Sequence, residues 1–136
     1  MSRIDLTATW LLSRANARAQ LIRAEAFAAA GSSGYLARLL ASLADDGPAS
    51  QAELGRRTGI DPSDVVAAMN SLDSSGFVRR ERDPADARRN LITMTKAGRA
   101  ELRRLDAVVA DIQERFLEPL TAAQRAQLVK FLGKLA

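Results

Sequence analysis

Residues 79 to 89 read Arg-Arg-Glu-Arg-Asp-Pro-Ala-Asp-Ala-Arg-Arg, five arginines and three acids around one proline. The guanidinium group is planar, always charged and forked, so it matches the oxygens of a phosphate or carboxylate. A run this dense is either a solvated loop or a surface made for an anion. Other chemistry is scarce. The chain has no Cys and no His, which removes thiolate ligands, the commonest metal ligand and the usual general base. No nucleophile–base pair stands out, so neither an enzyme nor a metal or cofactor site is expected. Asp45-Asp46 is a carboxylate pair, but adjacent acids before Gly47-Pro48 read as a loop.

Composition agrees with an anionic partner. The 136 residues carry a formal charge of +4, and of the 20 basic residues only Lys96, Lys130 and Lys134 are lysine. A genome rich in G and C also raises Arg and Ala, so the signal is modest. No apolar run approaches the roughly 20 residues of a membrane span. Ser13, Arg14 and Asn16 interrupt the N-terminal apolar residues, so no signal peptide is read and a cytoplasmic protein is expected.

The elements that must hold the arginines are mostly helical. Ile4, Ala8, Leu11, Ala15, Ala19, Ile22 and Ala26 recur at spacings of three and four, predicting one helix from residue 4 to about 29. Gly31-Ser32-Ser33-Gly34 breaks it. A second helix carries Leu36, Leu39, Leu40 and Leu43. Ser50 to Glu53 forms a predicted capping box, and Gly59 supplies the stop of a short helix. Asp61 caps the next helix, with Pro62 at its first position and Val65, Ala68, Met69 and Leu72 inside. Phe77–Arg82 and Leu91–Met94 predict two short strands, with the arginine-rich loop between them turned at Asp83-Pro84. Thr95 caps a helix striped by Leu102, Leu105, Val109, Ile112 and Phe116, ended by Pro119. Thr121 to Gln124 is a second capping box, opening a helix with Leu128, Phe131, Leu132 and Leu135.

The predicted fold is mainly α with a small β-hairpin: a winged helix-turn-helix over 34–96, flanked by dimerisation helices at 1–33 and 97–136. The outer seams are narrow and alanine-rich. They are expected to pack on each other and on a second copy, a homodimer, with the 102–116 stripe chiefly at that interface.

These pieces together resemble the MarR (multiple antibiotic resistance regulator) family. "SQAELGRRTGID" (50–61) is similar to its helix leading into the turn, and "LDSSGFVRR" (72–80) to the end of its recognition helix and first wing strand. "RDPADARRNLITMTKAG" (82–98) is similar to its wing, with Asp86-Ala87-Arg88 at the Asp-x-Arg element and Thr95 to Gly98 opening the next helix. The resemblance implies a homodimeric regulator of transcription, a repressor by expectation, on a pseudo-palindromic DNA operator. The helix at 62–75 would enter the major groove, with Ser63, Asp64, Ala67 and Asn70 toward the bases. The wing would offer Arg79, Arg82, Arg88 and Arg89, with Asp86 orienting it by pairing with arginine and Arg88 in or beside the minor groove. Arg56 and Arg57 are placed either on phosphate or in solvent. The family also implies a small aromatic or anionic effector that releases the DNA. Trp10, Arg14, Tyr35 and Arg38 are candidates to line its cleft, Trp10 being otherwise a core or interface residue.

The chain departs from the family pattern in Gly55 and Thr58, where Ala and Leu are frequent. It also has no Lys or Arg between Gly59 and Val78. That cation-free helix leaves a second function open, a winged-helix module that docks on protein rather than DNA.

Overall fold

The structure is a computed structural model and describes all residues, Met1–Ala136. Six helices and one hairpin follow in the order α1 (Ala8–Ala29), α2 (Gly34–Asp46), α3 (Gln51–Thr58), α4 (Pro62–Ser74), β1 (Val78–Arg82), β2 (Asn90–Met94), α5 (Lys96–Leu117) and α6 (Ala122–Leu135). No helix is long and apolar enough to cross a membrane.

The first helix starts later than its stripe suggested. Thr7 is extended, its hydroxyl donates to the Ile4 carbonyl, and Ile4–Leu6 forms a separate 3-10 turn. The predicted box at Ser50 is half formed. Ser50 Oγ accepts from the Glu53 amide at 3.2 Å, but the Glu53 carboxylate turns to Arg56 instead. The box at Thr121 is complete. Gly59 stops α3 in the left-handed region, at φ 68°.

The core lies in the middle of the chain. Leu39 and Leu40 of α2, Leu54 of α3, Met69 and Leu72 of α4, Val78, Ile92 and Leu105 are all enclosed. The hairpin is antiparallel, Val78 opposite Met94 and Arg82 opposite Asn90. A short bridge from Ala49 to Ile92 adds a third strand position that the sequence reading missed. Thr58 is no weak point: it is buried, and its hydroxyl donates to the Leu54 carbonyl at 2.6 Å.

The stripe on α5 departs from expectation. Leu105 and Ile112 are buried within the protomer and Phe116 packs against the same core, leaving Val109 exposed. The apolar residues left outside are on the ends: Ile4, Leu6, Trp10, Leu11 and Leu12 early, Val129, Phe131 and Leu135 late. No residue of α6 is buried.

Arginines tie α1 to α5 and α5 to α6. Arg18 donates to the carbonyls of Phe116 and Arg115 (2.8 and 3.0 Å) and lies over the Phe116 ring, satisfying acceptors at the negative end of α5. Arg115 pairs with Glu25 at 3.1 Å. Arg125 grips both Glu114 oxygens, at 2.8 and 3.1 Å, which fixes the α5–α6 turn.

Thr95 joins the wing to α5. Its hydroxyl donates to the Gly76 carbonyl at 2.6 Å and accepts from the Gly98 amide at 3.0 Å. A Cβ at Gly98 would lie 2.0 Å from the Phe77 carbonyl oxygen, so only glycine lets α5 approach. A Cβ at Gly55 would meet Ile60 O and Val65 Cγ2 at ordinary distances, 3.7 and 3.8 Å. Gly98→Ala is therefore expected to destabilise the protein by at least about 2 kcal/mol, while Gly55→Ala stabilises it by about 0.5–1 kcal/mol. Urea unfolding at matched protein concentration checks both; equal midpoints for the two variants would contradict this packing.

Candidate nucleic-acid interface

Local hydrogen bonds shape the loop between the strands. The Asp83 carboxylate accepts from the Ala85 amide at 2.8 Å, and the Asp83 amide donates to the Arg89 carbonyl at 2.9 Å. Asp86 accepts from both the backbone amide and Nε of Arg88, at 3.1 and 3.2 Å. The acids thus act as turn formers. Hydrogen bonds from the Arg88 side chain, then from its amide, hold the Asp86 carboxyl below its ordinary range. The Arg88 side chain nevertheless remains 91% exposed, free to meet an anion.

The other wing arginines differ in what they touch. Arg79 lies 3.5 Å from Glu81 and stays largely exposed. Arg82 ends β1, exposed opposite Asn90. Arg89 Nη2 reaches Ser50 Oγ at 3.4 Å, at the N-terminus of α3. Arg56, 67% exposed at its side chain, stands by the same shallow cleft over Ser50, Gln51 and Ala52. Gln51, Ala52 and Arg56 also border the next cleft, whose far wall is Pro62 and Val66 of α4. Wing, α3 N-terminus and the start of α4 thus form one continuous surface carrying Arg56 and Arg89, with backbone amides of a helix N-terminus between them.

Arg57 is used internally. Its Nη1 donates to the Gly47 carbonyl at 2.8 Å, its Nε is 3.6 Å from Glu53, and only 22% of the side chain is exposed. It braces the α2–α3 connection. Arg56, first, and Arg57 also hold the Glu53 carboxyl below its ordinary range.

On α4, Ser63, Ala67 and Asn70 are exposed along one face, while Asp64 is half-buried. The Ser63 hydroxyl donates to the Asp61 carboxylate at 2.6 Å, so toward a base it has only acceptor capacity left. Asn70 Oδ1 accepts from Arg80 Nη2 at 2.9 Å, with Asp73 at 3.9 Å on the same guanidinium. Two-pronged recognition of adenine needs that oxygen, so the arrangement leaves Asn70 its amide donors. Two residues went unnoticed in the sequence. Val66 is half exposed, one turn from Ser63 and Asn70, and its position on that face was readable from spacing. Arg80 brings a cation from β1 to the cation-free helix, a contact ten residues apart that no local pattern signals.

The expected effector residues divide. A cleft of about 890 Å³ opens between α1, α2 and α5, with Tyr35 and Arg38 in its wall beside Arg23, Phe27 and Gln113. Trp10 and Arg14 form no part of it. They lie more than two helical turns earlier on α1 than Arg23, and Trp10 belongs to the exposed apolar end.

Known proteins agree with this geometry. The MarR family's sequence profile matches residues 37–89. A probable transcriptional regulator from Pseudomonas aeruginosa is 32% identical, over 98% of this chain and all of that one, with a TM-score of 0.86. The Bordetella bronchiseptica regulator BpsR, whose DNA binding is regulated by 6-hydroxynicotinic acid, superposes with a TM-score of 0.85 at 25% identity, covering 99% of this chain and 96% of BpsR. The transcriptional repressor NicR of Pseudomonas putida is 30% identical over 96 residues, 71% of this chain but 61% of NicR. The chain belongs to the MarR family. It is a winged-helix, DNA-binding regulator of transcription and not an enzyme.

The Asp86–Arg88 pair has a measurable signature. The Asp86 carboxyl, observed by NMR, is expected to titrate below the ordinary aspartate range. Its stabilising contribution is present above the unfolded pKa and is lost as pH falls through the depressed folded value. Arg88→Ala removes the side-chain bond but keeps the backbone one, so the midpoint should rise part of the way. An unmoved midpoint would contradict the pairing.

Proposed function

We propose that the protein is a homodimeric repressor that binds a pseudo-palindromic operator and leaves it when a small aromatic anion occupies the cleft between α1, α2 and α5. The observation that carries the reading is the continuous surface from the wing to the start of α4. Arg56 and Arg89 flank a helix N-terminus there, and Arg88, paired with Asp86, stands almost fully exposed at the wing. Such an arrangement suits phosphates along a backbone with one arginine reaching the narrow groove. The apolar ends of α1 and α6 support the dimer: Leu11, Leu12, Phe131 and Leu135 stay exposed unless a second copy covers them. As a reader of the chromosome the protein acts in the cytoplasm.

The effector reading rests on the cleft's chemistry. Arg23 and Arg38 supply charge, while Phe27 and Tyr35 supply aromatic walls. A carboxylate there would sit between the helical frame of α1 and α5 and the DNA-reading α2–α4 unit. It would shift the spacing of the two recognition helices through its differential affinity for the released arrangement. The regulation of BpsR by 6-hydroxynicotinic acid and the repressor role of NicR support the class of ligand and the sign of control.

Fluorescence anisotropy on an operator duplex selected by the purified protein tests the DNA reading. Arg88→Ala removes one groove contact per subunit, each worth about 1–3 kcal/mol, so affinity should fall at least about tenfold. The slope of log affinity against log salt should flatten by about two units for the dimer, with thermal stability nearly unchanged because the exposed Asp86–Arg88 pair contributes little. Full affinity and an unchanged slope would sink the assignment of the wing. Absence of any salt-dependent duplex binding in the parent protein would favour the protein-docking module.

A further inference from the structure

Two clefts run along α5, one on each side of Asp106. The effector cleft covers the second half of the helix, by Val109 and Gln113. A separate cleft of about 450 Å³ covers the first half, against the end of α2 and the base of the wing. Its apolar side is Leu43, Pro48, Met94 and Leu102; its polar side is Thr93, Arg99, Arg103 and Asp106.

The charged groups of the polar side make no ion pair. Arg99 and Arg103 lie one turn apart on the same face of α5, and neither joins an ion pair, whereas eight other arginines do. Arg99 has a long contact with the Met94 carbonyl, at 3.5 Å. Thr93 Oγ1 is closed off from solvent and bonds to nothing, one of only two such side-chain atoms in the chain. A buried hydroxyl with no partner is costly. Asp106 closes the far end, so two guanidiniums face one carboxylate.

We propose that this cleft is a second ligand site, taking a compact organic anion with a carboxylate on an apolar body. The carboxylate sits between Arg99 and Arg103, where charge-assisted bonds are strongest. The body covers Leu43, Pro48, Met94 and Leu102, a side that a bare inorganic anion would leave wet. A rotation about χ1 of Thr93 turns its hydroxyl into the cleft as a further donor. Thr93 and Met94 pair with Arg79 and Val78 across the hairpin, so an occupant acts on the wing directly. This site needs nothing from the effector cleft; only its effect on DNA rests on the DNA reading above.

Calorimetric titration of the full chain with benzoate, and separately with inorganic phosphate at equal ionic strength, tests the proposal. The Arg23→Gln/Arg38→Gln variant, which strips the charge of the effector cleft, should still bind benzoate. That residual binding should weaken at least about tenfold when Arg99→Gln and Arg103→Gln are added, the loss of a charge-assisted bond. Phosphate should bind more weakly than benzoate throughout. No residual benzoate binding in the first variant, residual binding indifferent to Arg99 and Arg103, or phosphate binding as tightly as benzoate would each overturn the site. Amide NMR on the unmodified protein guards against variants that fail to fold. Benzoate should move the Thr93, Met94 and Arg99 amides to saturation, and their remaining still would overturn the proposal as well. Thr93→Val should weaken benzoate several-fold while leaving the melting temperature level or higher; unchanged affinity would remove the hydroxyl from the site.

Discussion

Apolar surface must leave water, and this chain can enclose only its middle. Leu39 and Leu40 of α2 are fully buried because α3, α4 and α5 all pack around that helix. The removal of such side chains from water is the main favourable term in folding. It fixes α4 against α2, draws the hairpin in through Val78 and Ile92, and anchors the first half of α5 through Leu105. Nothing comparable happens at the ends of the chain. α6 buries no side chain, and the first turns of α1 expose Trp10, Leu11 and Leu12. One core is closed within the protomer, and the faces left open are those a second copy would close.

The charges are organised around that core. Several arginines that look alike in the sequence have different tasks because their neighbours differ. Arg18 caps the end of α5, Arg57 braces the turn at Gly47, and Arg125 holds the α5–α6 corner. Arg56 and Arg89 remain on one surface, and Arg88 is exposed on the wing loop beside Arg89. The acids of the wing do not cancel these cations so much as shape the loop that presents them. Asp83 and Asp86 each accept a backbone amide two residues on, a bond that closes a turn.

Much of this was legible because it is local. Apolar spacing, the cap at Asp61, the stop at Gly59 and the hairpin around Asp83-Pro84 all lie within a few residues of the structure they specify. That Asp86 pairs with an arginine was implied by the resemblance to the MarR wing, and the structure makes that partner Arg88, two residues on. What stayed hidden depends on distance in sequence. The Ala49–Ile92 bridge, the bond from Arg80 to Asn70 and the use of Arg57 on Gly47 join segments whose approach only the packed fold decides. Trp10 illustrates the limit. Its residue type suits an aromatic cleft, but the rise of α1 carries it away from Arg23 and Phe27 to the uncovered end. The α5 stripe failed differently: periodicity showed that Leu105 and Ile112 are buried, but not whether α2 or a second copy buries them.

The central claim is that two copies present their wing-to-α4 surfaces to one duplex. Hydroxyl-radical footprinting of the protein on DNA fragments it selects tests this most directly. The account predicts two equivalent protected half-sites about one helical turn, roughly 10 bp, apart, each with a flanking minor-groove protection that disappears in Arg88→Ala. A single unpaired half-site, or flanking protection that persists without Arg88, would contradict it.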